Sequence, residues 1–230
     1  MNKNAKMVVL FMGKPGSGKG TQAEVLAEKY GLAHFNTGEV IRHRIANPKT
    51  DEDRREKSIY ESGKLNTFEW VAALVTEKAH EYAVTGQGIV FSGSPRSLYE
   101  AERLIPQLFR DYGKEKVAAI LLDVDDHHAV SRNTGRLTCD KCGQTMTVAP
   151  ENLEKMKGSP CTKCAGRLIQ RAIDTAEKIM DKRLPDYCQN TIPAIEFMRA
   201  EGILRELDGR QTVAEVTEKV AEIIDPIAKK

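Results

Sequence analysis

The 230-residue chain has no apolar run approaching the roughly 18 residues that a membrane span needs, and its N-terminus lacks the long apolar core of a secretory leader. No membrane partner is expected, and the expected compartment is the cytoplasm. Charge of one sign is also missing. The 35 lysines and arginines are dispersed among 33 aspartates and glutamates, giving a formal net charge of +2. Long-range attraction to nucleic acid is therefore not expected, and any strongly positive surface has to be local. Five cysteines without a leader argue against a disulfide framework and for metal ligation or inert thiols. Internal repeats and low-complexity segments are absent. A chain of this length fits one main domain with insertions around a sizeable core, and a monomer is expected.

What the chain does have is a rhythm. Apolar runs at 7–11, 89–91, 117–122 and 203–207 read as strands, and helix patterns fall at about 21–30, 67–85, 97–112, 174–200 and 212–225. Continuous apolar strands alternating with helices predict a mainly parallel sheet covered on both faces. Ligands of such sheets lie at the carboxyl ends of the strands. Two stretches break the rhythm. Residues 37–66 are helical and highly charged, and residues 136–172 carry Gly, Pro, Cys and Thr with little helical period. Both read as insertions that are free to move.

Between the first strand and the first helix stands Met12-Gly13-Lys14-Pro15-Gly16-Ser17-Gly18-Lys19-Gly20-Thr21-Gln22. A strand, a glycine-rich turn and a helix N-terminus in that order aim several backbone N–H groups and the positive helix end at one place, which makes a phosphate cradle. Gly13, Gly16 and Gly18 let the backbone approach the anion, and Lys19 adds a mobile charge for the outer phosphates. The strict signature puts Ser or Thr directly after the lysine. Here Gly20 follows it and the hydroxyl comes at Thr21.

Cys139 and Cys142, eighteen residues, then Cys161 and Cys164 form two Cys-x2-Cys knuckles. Four thiolates so spaced can close a tetrahedron around Zn²⁺ with no open position, and structural zinc contributes roughly 10–16 kcal/mol to the folding of small modules. A stretch so poor in apolar residues is expected to need it. A redox or iron–sulfur use and a zinc-finger grip on nucleic acid are the alternatives, the last without the basic helix it requires. Cys188 reads as a small packing residue in a helix, and His127 and His128 as surface residues. Arg132 and Arg136 are four apart, so on a helix they would share a face and converge on one anion.

The glycine loop closely resembles the phosphate loop of adenylate kinases, and the resemblance runs in matching order from residue 6 to about 225. Asn36-Thr37-Gly38-Glu39-Val40-Ile41-Arg42 resembles the element that opens the family's monophosphate-binding domain. There Thr37 can cap a helix and offer a hydroxyl, and Arg42 carries a fork suited to phosphate. Gly63-Lys64-Leu65-Asn66-Thr67 matches the segment whose backbone lies along the adenine of AMP. Gly88 to Ser97 resembles a strand-to-loop element in which Gly93, Pro95 and Arg96 match, with Arg96 gripping the monophosphate. Ser92 stands where the family carries an aspartate that orients waters on Mg²⁺, a loss of roughly 10–100-fold at most for an outer-shell partner. Ser94 replaces an apolar residue. Glu100 stands where a glutamine reads the adenine edge; an ionised Glu offers only acceptors, which would suit guanine better.

Arg132 and Arg136 resemble the pair that opens the family's lid, Gln170 to Thr175 its Arg-x-Asp-Asp, and Lys182-Arg183-Leu184 its Arg-Lys-Arg-Leu. Arg171 and Arg183 are twelve apart where the family has eleven, so either Lys182 or Arg183 could face the site, and Arg183 is preferred. Asp174 alone remains of the aspartate pair. Residues 207–213 look like the loop beneath the ATP adenine, with backbone contact near Gln211.

The resemblance implies an α/β fold, a phosphate-loop NTPase-type parallel sheet flanked by helices. Its core would be 1–35, 67–135 and 173–230, with a helical monophosphate-binding insertion at 36–66 and a zinc-binding lid at 136–172. It implies Mg²⁺-dependent transfer between ATP and AMP to give two ADP. Gly16, Ser17, Gly18, Lys19, Gly20, Thr21, Arg132, Arg136 and Gln211 would hold ATP. Thr37, Arg42, Lys64, Leu65, Asn66, Gly93, Arg96, Glu100, Arg171 and Arg183 would hold AMP, and Lys19, Arg96, Arg132, Arg136, Arg171 and Arg183 would serve the transferring group. The rivals are a kinase for another monophosphate such as GMP, from Glu100, and a weakly catalytic nucleotide-binding protein, from Ser92.

Overall fold

The computed structural model describes residues 5–62, 66–171 and 174–229. At its centre lie strands β1 (Val8–Met12), β2 (Ala33–Phe35), β3 (Ile89–Phe91), β4 (Val117–Asp123) and, near the C-terminus, β8 (Leu204–Asp208). They form one parallel sheet in the order β2-β3-β1-β4-β8. Alternate residues feed two separate apolar clusters. Val8, Leu10, Ile89, Phe91, Ala119 and Leu121 belong to one, and Val9, Phe11, Val90, Ala118, Ile120 and Leu122 to the other. Both faces are therefore dry, which is why these strands read as unbroken apolar runs.

Helices α4 (Phe68–Val84) and α5 (Leu98–Tyr112) cover the first face together with a helical stretch at 176–200, contributing Val75, Leu104 and Ile195 among others. Helix α1 (Lys19–Tyr30) and the C-terminal helix Val213–Ala228 cover the second through Leu26 and Val220. Strand β2 is the one the apolar pattern did not signal. It is three residues long, and only Phe35 is buried.

Helices α2 (Thr37–Ala46) and α3 (Asp51–Glu61) fill the first insertion, as its helical pattern predicts. Its charge is not all solvated. Asp53 is buried and accepts hydrogen bonds from Trp70 Nε1 and the Lys49 and Thr50 N–H groups. Buried Glu56 accepts from Asn66 Nδ2, Thr67 N–H and Thr67 Oγ1. These two carboxylates staple α3 to the start of α4.

After α6 (Asp126–Thr134), strands β5 (Arg136–Cys139), β6 (Thr145–Thr147) and β7 (Leu168–Ile169) form an antiparallel sheet, with the short helix α7 (Leu153–Met156) beside it. This segment has its own apolar cluster, in which Leu137 and Leu168 are buried against Met146, Val148, Leu153 and Met156. That cluster is small and includes Cys139, Cys161 and Cys164. The apolar residues are few but are brought together by the strand pairing.

The 176–200 stretch contains two π-helical turns, Ile179–Arg183 and Tyr187–Thr191. Such turns close i→i+5 instead of i→i+4 hydrogen bonds and so take in an extra residue. Cys188 lies in the second and is exposed, so it is not a packing residue.

Candidate functional site

The glycine loop follows β1 at the carboxyl edge of the sheet and ends at α1. Gly13 has φ +135°, and a Cβ there would lie 2.5 Å from the Leu122 carbonyl oxygen. At Gly16, with φ +83°, it would lie 2.5 Å from both the Ala129 carbonyl oxygen and Asn133 Nδ2. These two glycines are thus required by backbone conformation and by space. Gly18 caps α1 in the left-handed conformation, Ser17 is buried beneath the loop and Thr21 is exposed on the first helical turn.

Lys19 Nζ folds back and donates to the Gly13 carbonyl (2.7 Å), the Lys14 carbonyl (2.6 Å) and Ser17 Oγ (3.3 Å). Enclosure, and then the charges of Arg96, Arg183 and Arg136, pull its pKa down to about 7. Cations from four distant segments therefore crowd one point. Such a field binds polyanions strongly.

Much of this crowd is organised by Asp174, which is fully buried. Its carboxylate accepts from Arg136 Nε at 3.0 Å, from Arg171 Nε at 2.9 Å and from Arg183 NH1 at 2.9 Å. Burial pushes the Asp174 pKa up, but the hydrogen bonds and charges of Arg136 and Arg171 carry it below its ordinary value. Arg183 also donates to Asn133 Oδ1 at 3.2 Å, and burial among neighbouring guanidinium groups lowers it to about 10. One carboxylate against three guanidinium groups leaves a surplus of positive charge beside Lys19.

The first π turn bears on the choice between Lys182 and Arg183. It takes up the additional residue between Arg171 and Arg183, so that Arg183 reaches Asp174 while Lys182 is exposed. The single aspartate that remains of the pair holds three arginines.

Other expected pairings are not made. Arg132 and Arg136 do not share a helix face, because α6 ends at Thr134 and Arg136 opens β5. Arg132 donates instead to the carbonyls of Gly209 (2.7 Å) and Arg210 (3.2 Å), next to Gln211 in the loop after β8. Thr37 is not the cap of α2. Asn36 is, accepting from the Gly38 N–H, while buried Thr37 Oγ1 lies 2.6 Å from Ser94 Oγ. Arg42 is exposed on α2, with no polar partner among the described residues. Asn66 spends its amide on Glu56. Lys64 and Leu65 lie outside the described residues.

The turn after β3 is a tight polar knot. Arg96 Nε donates to the Gly93 carbonyl at 2.7 Å, its own carbonyl accepts from Thr191 Oγ1 at 3.0 Å, and its N–H donates to Glu100 Oε2 at 2.8 Å. Ser97 caps α5 by accepting from the Glu100 N–H. Glu100 is only 2 % exposed, and its second oxygen, Oε1, is buried without a partner. Ser92 Oγ lies 2.7 Å from His34 Nε2 on β2.

The four knuckle cysteines come together. Cys139 Sγ lies 3.5 Å from Cys164 Sγ and Cys142 Sγ 3.8 Å from Cys161 Sγ, with all four sulfurs within 4.8 Å of one another. Zn–S bonds of about 2.3 Å in a tetrahedron put sulfurs about 3.8 Å apart, whereas a disulfide needs about 2.05 Å. A Cβ on Gly166 would come within 2.7 Å of Cys139 Sγ, so the knuckle closes only around glycine. The donor set fits one structural zinc ion. His127 is exposed as expected, and His128 Nδ1 pairs with Asp125.

Asn133, Thr191 and the pairing of Thr37 with Ser94 are contributions that the sequence reading missed. No local pattern marks them, since each acts on a residue fifty or more positions away.

A phosphate loop on a doubly covered parallel sheet, ringed by cations from separate segments, defines the class of phosphate-loop phosphotransferases. Within that class the comparisons are specific. The family model described as adenylate kinase matches residues 11–203. An adenylate kinase of Magnetococcus marinus is 36% identical over 222 residues, covering 95% of this chain and all of its own. One of Fervidobacterium nodosum is 36% identical over 226 residues (97% and 100%), and one of Archaeoglobus fulgidus 33% over 223 (96% and 99%). The chain belongs to the adenylate kinase family and is a nucleoside monophosphate kinase.

Proposed function

We propose that this chain carries out the adenylate kinase reaction, ATP + AMP ⇌ 2 ADP, through the cations gathered around Lys19. The carrying observation is electrostatic: an enclosed lysine beside Arg96, Arg136 and Arg183, with Asp174 as the buried counter-charge to the arginines. Phosphoryl transfer through a loose transition state asks for in-line positioning and charge stabilisation more than for an acid or base. Lys19 and the loop amides from Gly16 to Thr21 hold the donor's outer phosphates, and Gln211 lies under the donor base in the loop whose carbonyls Arg132 of α6 grips. Arg42 and Arg96 hold the acceptor phosphate, with Thr37, Gly93, Glu100 and the 64–66 segment around its nucleoside. Arg136, Arg171 and Arg183 serve the transferring group.

Mg²⁺ arrives with ATP, and Thr21, exposed on the first turn of α1, is the hydroxyl that would meet it. When bound, it neutralises charge between the outer phosphates. Zn²⁺ held by Cys139, Cys142, Cys161 and Cys164 stiffens the lid and takes no part in the chemistry. We further read 36–66 and 136–172 as the segments that shut over the nucleotides to exclude water, about a core of 1–35, 67–135 and 173–230. Gln144 Nε2 of the second already lies 3.3 Å from Glu24 Oε2 of α1. The reading includes a monomer in the cytoplasm acting on free nucleotides, without nucleic acid or membrane. Among the described residues no helix is long and apolar enough to cross a membrane.

A coupled assay of ADP formation from ATP, AMP and Mg²⁺ tests the proposal. Turnover by the wild type and its loss in Lys19→Met support it. Absence of ADP from metal-replete protein overturns it.

A further inference from the structure

Three metal-binding side chains meet at the start of α6, and none of them belongs to the set assigned above to the nucleotides. Asp125 caps the helix, its Oδ1 accepting the His128 N–H at 2.8 Å. His128 Nδ1 lies 2.9 Å from that oxygen and 2.8 Å from Oδ2. His127 stands beside them, its ring edge to face with that of His128 at a centroid distance of 5.8 Å. One ligand atom from each of the three residues lies within 4.8 Å of the others. The chain shows two surface histidines by sequence; the cap geometry adds a carboxylate to them.

The spacing suits a cation. Two ligand atoms about 2.05 Å from one ion and at right angles across it lie about 2.9 Å apart, against about 3.3 Å in a tetrahedron. The gap between His128 Nδ1 and Asp125 Oδ2 matches the right-angle case. An ion there takes the lone pair of Nδ1, with the imidazole hydrogen on Nε2, while Asp125 Oδ1 keeps the helix cap. His127 is exposed, so its ring can turn to close the remaining distance. A helix N-terminus by itself opposes a cation. Here a cleft of about 400 Å³ beside Asp125 is lined also by Asp123, Glu206 and Asp208, with Lys14 and Arg210 as its cations. Lys14 pairs with Asp126, Arg210 with Asp208 and Glu206 with Arg199. Five carboxylates thus stand against three cations, and the surplus negative charge lies along an open route to the ligands.

We propose that Asp125, His127 and His128 bind a divalent transition-metal ion of the nickel, copper or zinc type, at a site separate from the four cysteines and from the Mg²⁺ carried by ATP. Imidazole nitrogens with one carboxylate suit these ions, which rank highest in affinity for such mixed sets, whereas Mg²⁺ prefers oxygen ligands. Three protein ligands leave the rest of the shell to water, so this ion exchanges with solution more readily than one closed in by four thiolates. Asp126, between the ligands in the chain, holds Lys14, which sets the bound ion beside the glycine loop.

The test titrates Ni²⁺ alone by calorimetry into the full chain loaded with one equivalent of Zn²⁺ for the cysteines, in a buffer that does not bind metal. Wild type is compared with His127→Ala, His128→Ala and Asp125→Asn, the last keeping a side chain that caps helices while losing the charged ligand. Thermal unfolding without Ni²⁺ checks that each variant folds. Paramagnetic broadening of ring signals identifies the ligands among the five histidines. We expect one Ni²⁺ per chain with the zinc retained, binding at least about tenfold weaker in each variant, and loss of the His127 and His128 signals before those of His34, His43 and His80. Absence of binding by the wild type, undiminished binding by any of the three folded variants, equal broadening of the exposed His43 and His80, or uptake of Ni²⁺ only as zinc is released overturns the proposal.

Discussion

The sheet and the lid stand on opposite means of support. Strands β1, β3 and β4 are dry on both faces and sit between two layers of helix, so the core that carries the glycine loop is stabilised by apolar burial. The 136–171 segment, the expected lid, has three short strands, one small cluster and four sulfurs within 4.8 Å of one another, so on the proposed reading its shape depends on the zinc those sulfurs would hold. On the proposed reading the glycine loop is pre-formed on the sheet, while the segment proposed to cover it is separately adjustable. Asp174 ties them together, since it pairs Arg136 at the lid's first strand with Arg183 on the 176–200 helix.

The largest effect tests the core's half of that contrast. Lys19→Met should lower kcat by about 10²–10³ or more, the scale for removing one preorganised charge-stabilising group, with little change in unfolding temperature. A variant as active as wild type would remove Lys19 from the site.

Next comes the tie between the two regions. Asp174→Ala leaves Arg136, Arg171 and Arg183 without their shared carboxylate. Removing one partner of a buried pair costs roughly 3–5 kcal/mol, and the low end applies here because the arginines are partly exposed. Chemical denaturation measures it, and added ATP should recover part of the loss, because phosphate supplies the missing negative charge.

Chelation then separates lid from core. Stripping the metal, or Cys161→Ser, should abolish protection of the 136–171 amides in hydrogen exchange while β1 and β4 stay protected. Equal loss in both would show that the lid and the sheet unfold as one unit.

A smaller effect follows from pH. The folded-state pKa of Asp174 lies below the unfolded value, so its stabilisation is present above the ordinary carboxylate range near about 3.9 and is lost as pH falls through the folded value. Asp174→Asn should flatten the acid limb of the stability profile. The smallest effect is at the contact between lid and α1. Gln144→Ala removes one hydrogen bond to Glu24 and should cost about 0.5–1.5 kcal/mol in lid closure, read as faster opening.

The parallel core was legible because both-face burial leaves an unmistakable mark: five apolar residues in β1 and six in β4 lie side by side in the chain. The glycine loop was legible because its chemistry is local, with Gly13, Gly16, Lys19 and the start of α1 within eleven residues of β1. The cysteine knuckles were legible for the same reason. Strand β2 was not, since a three-residue edge strand with one buried side chain has no pattern to show. The shared helix face expected of Arg132 and Arg136 is not there, because the chain changes from helix to strand between them.

Composition and spacing alone determined the sheet, the phosphate cradle and the thiol set, because each depends on residues that are neighbours in sequence or repeat at a fixed period. Only the folded chain decided which arginines meet. A π turn in the 176–200 helix swings Arg183 rather than Lys182 toward Asp174, and the polar turn after β3 leaves Glu100 Oε1 buried with no hydrogen-bond partner. Those outcomes turn on a rotation of about 100° per residue around a helix and on which groups exclude water, quantities that linear spacing does not carry.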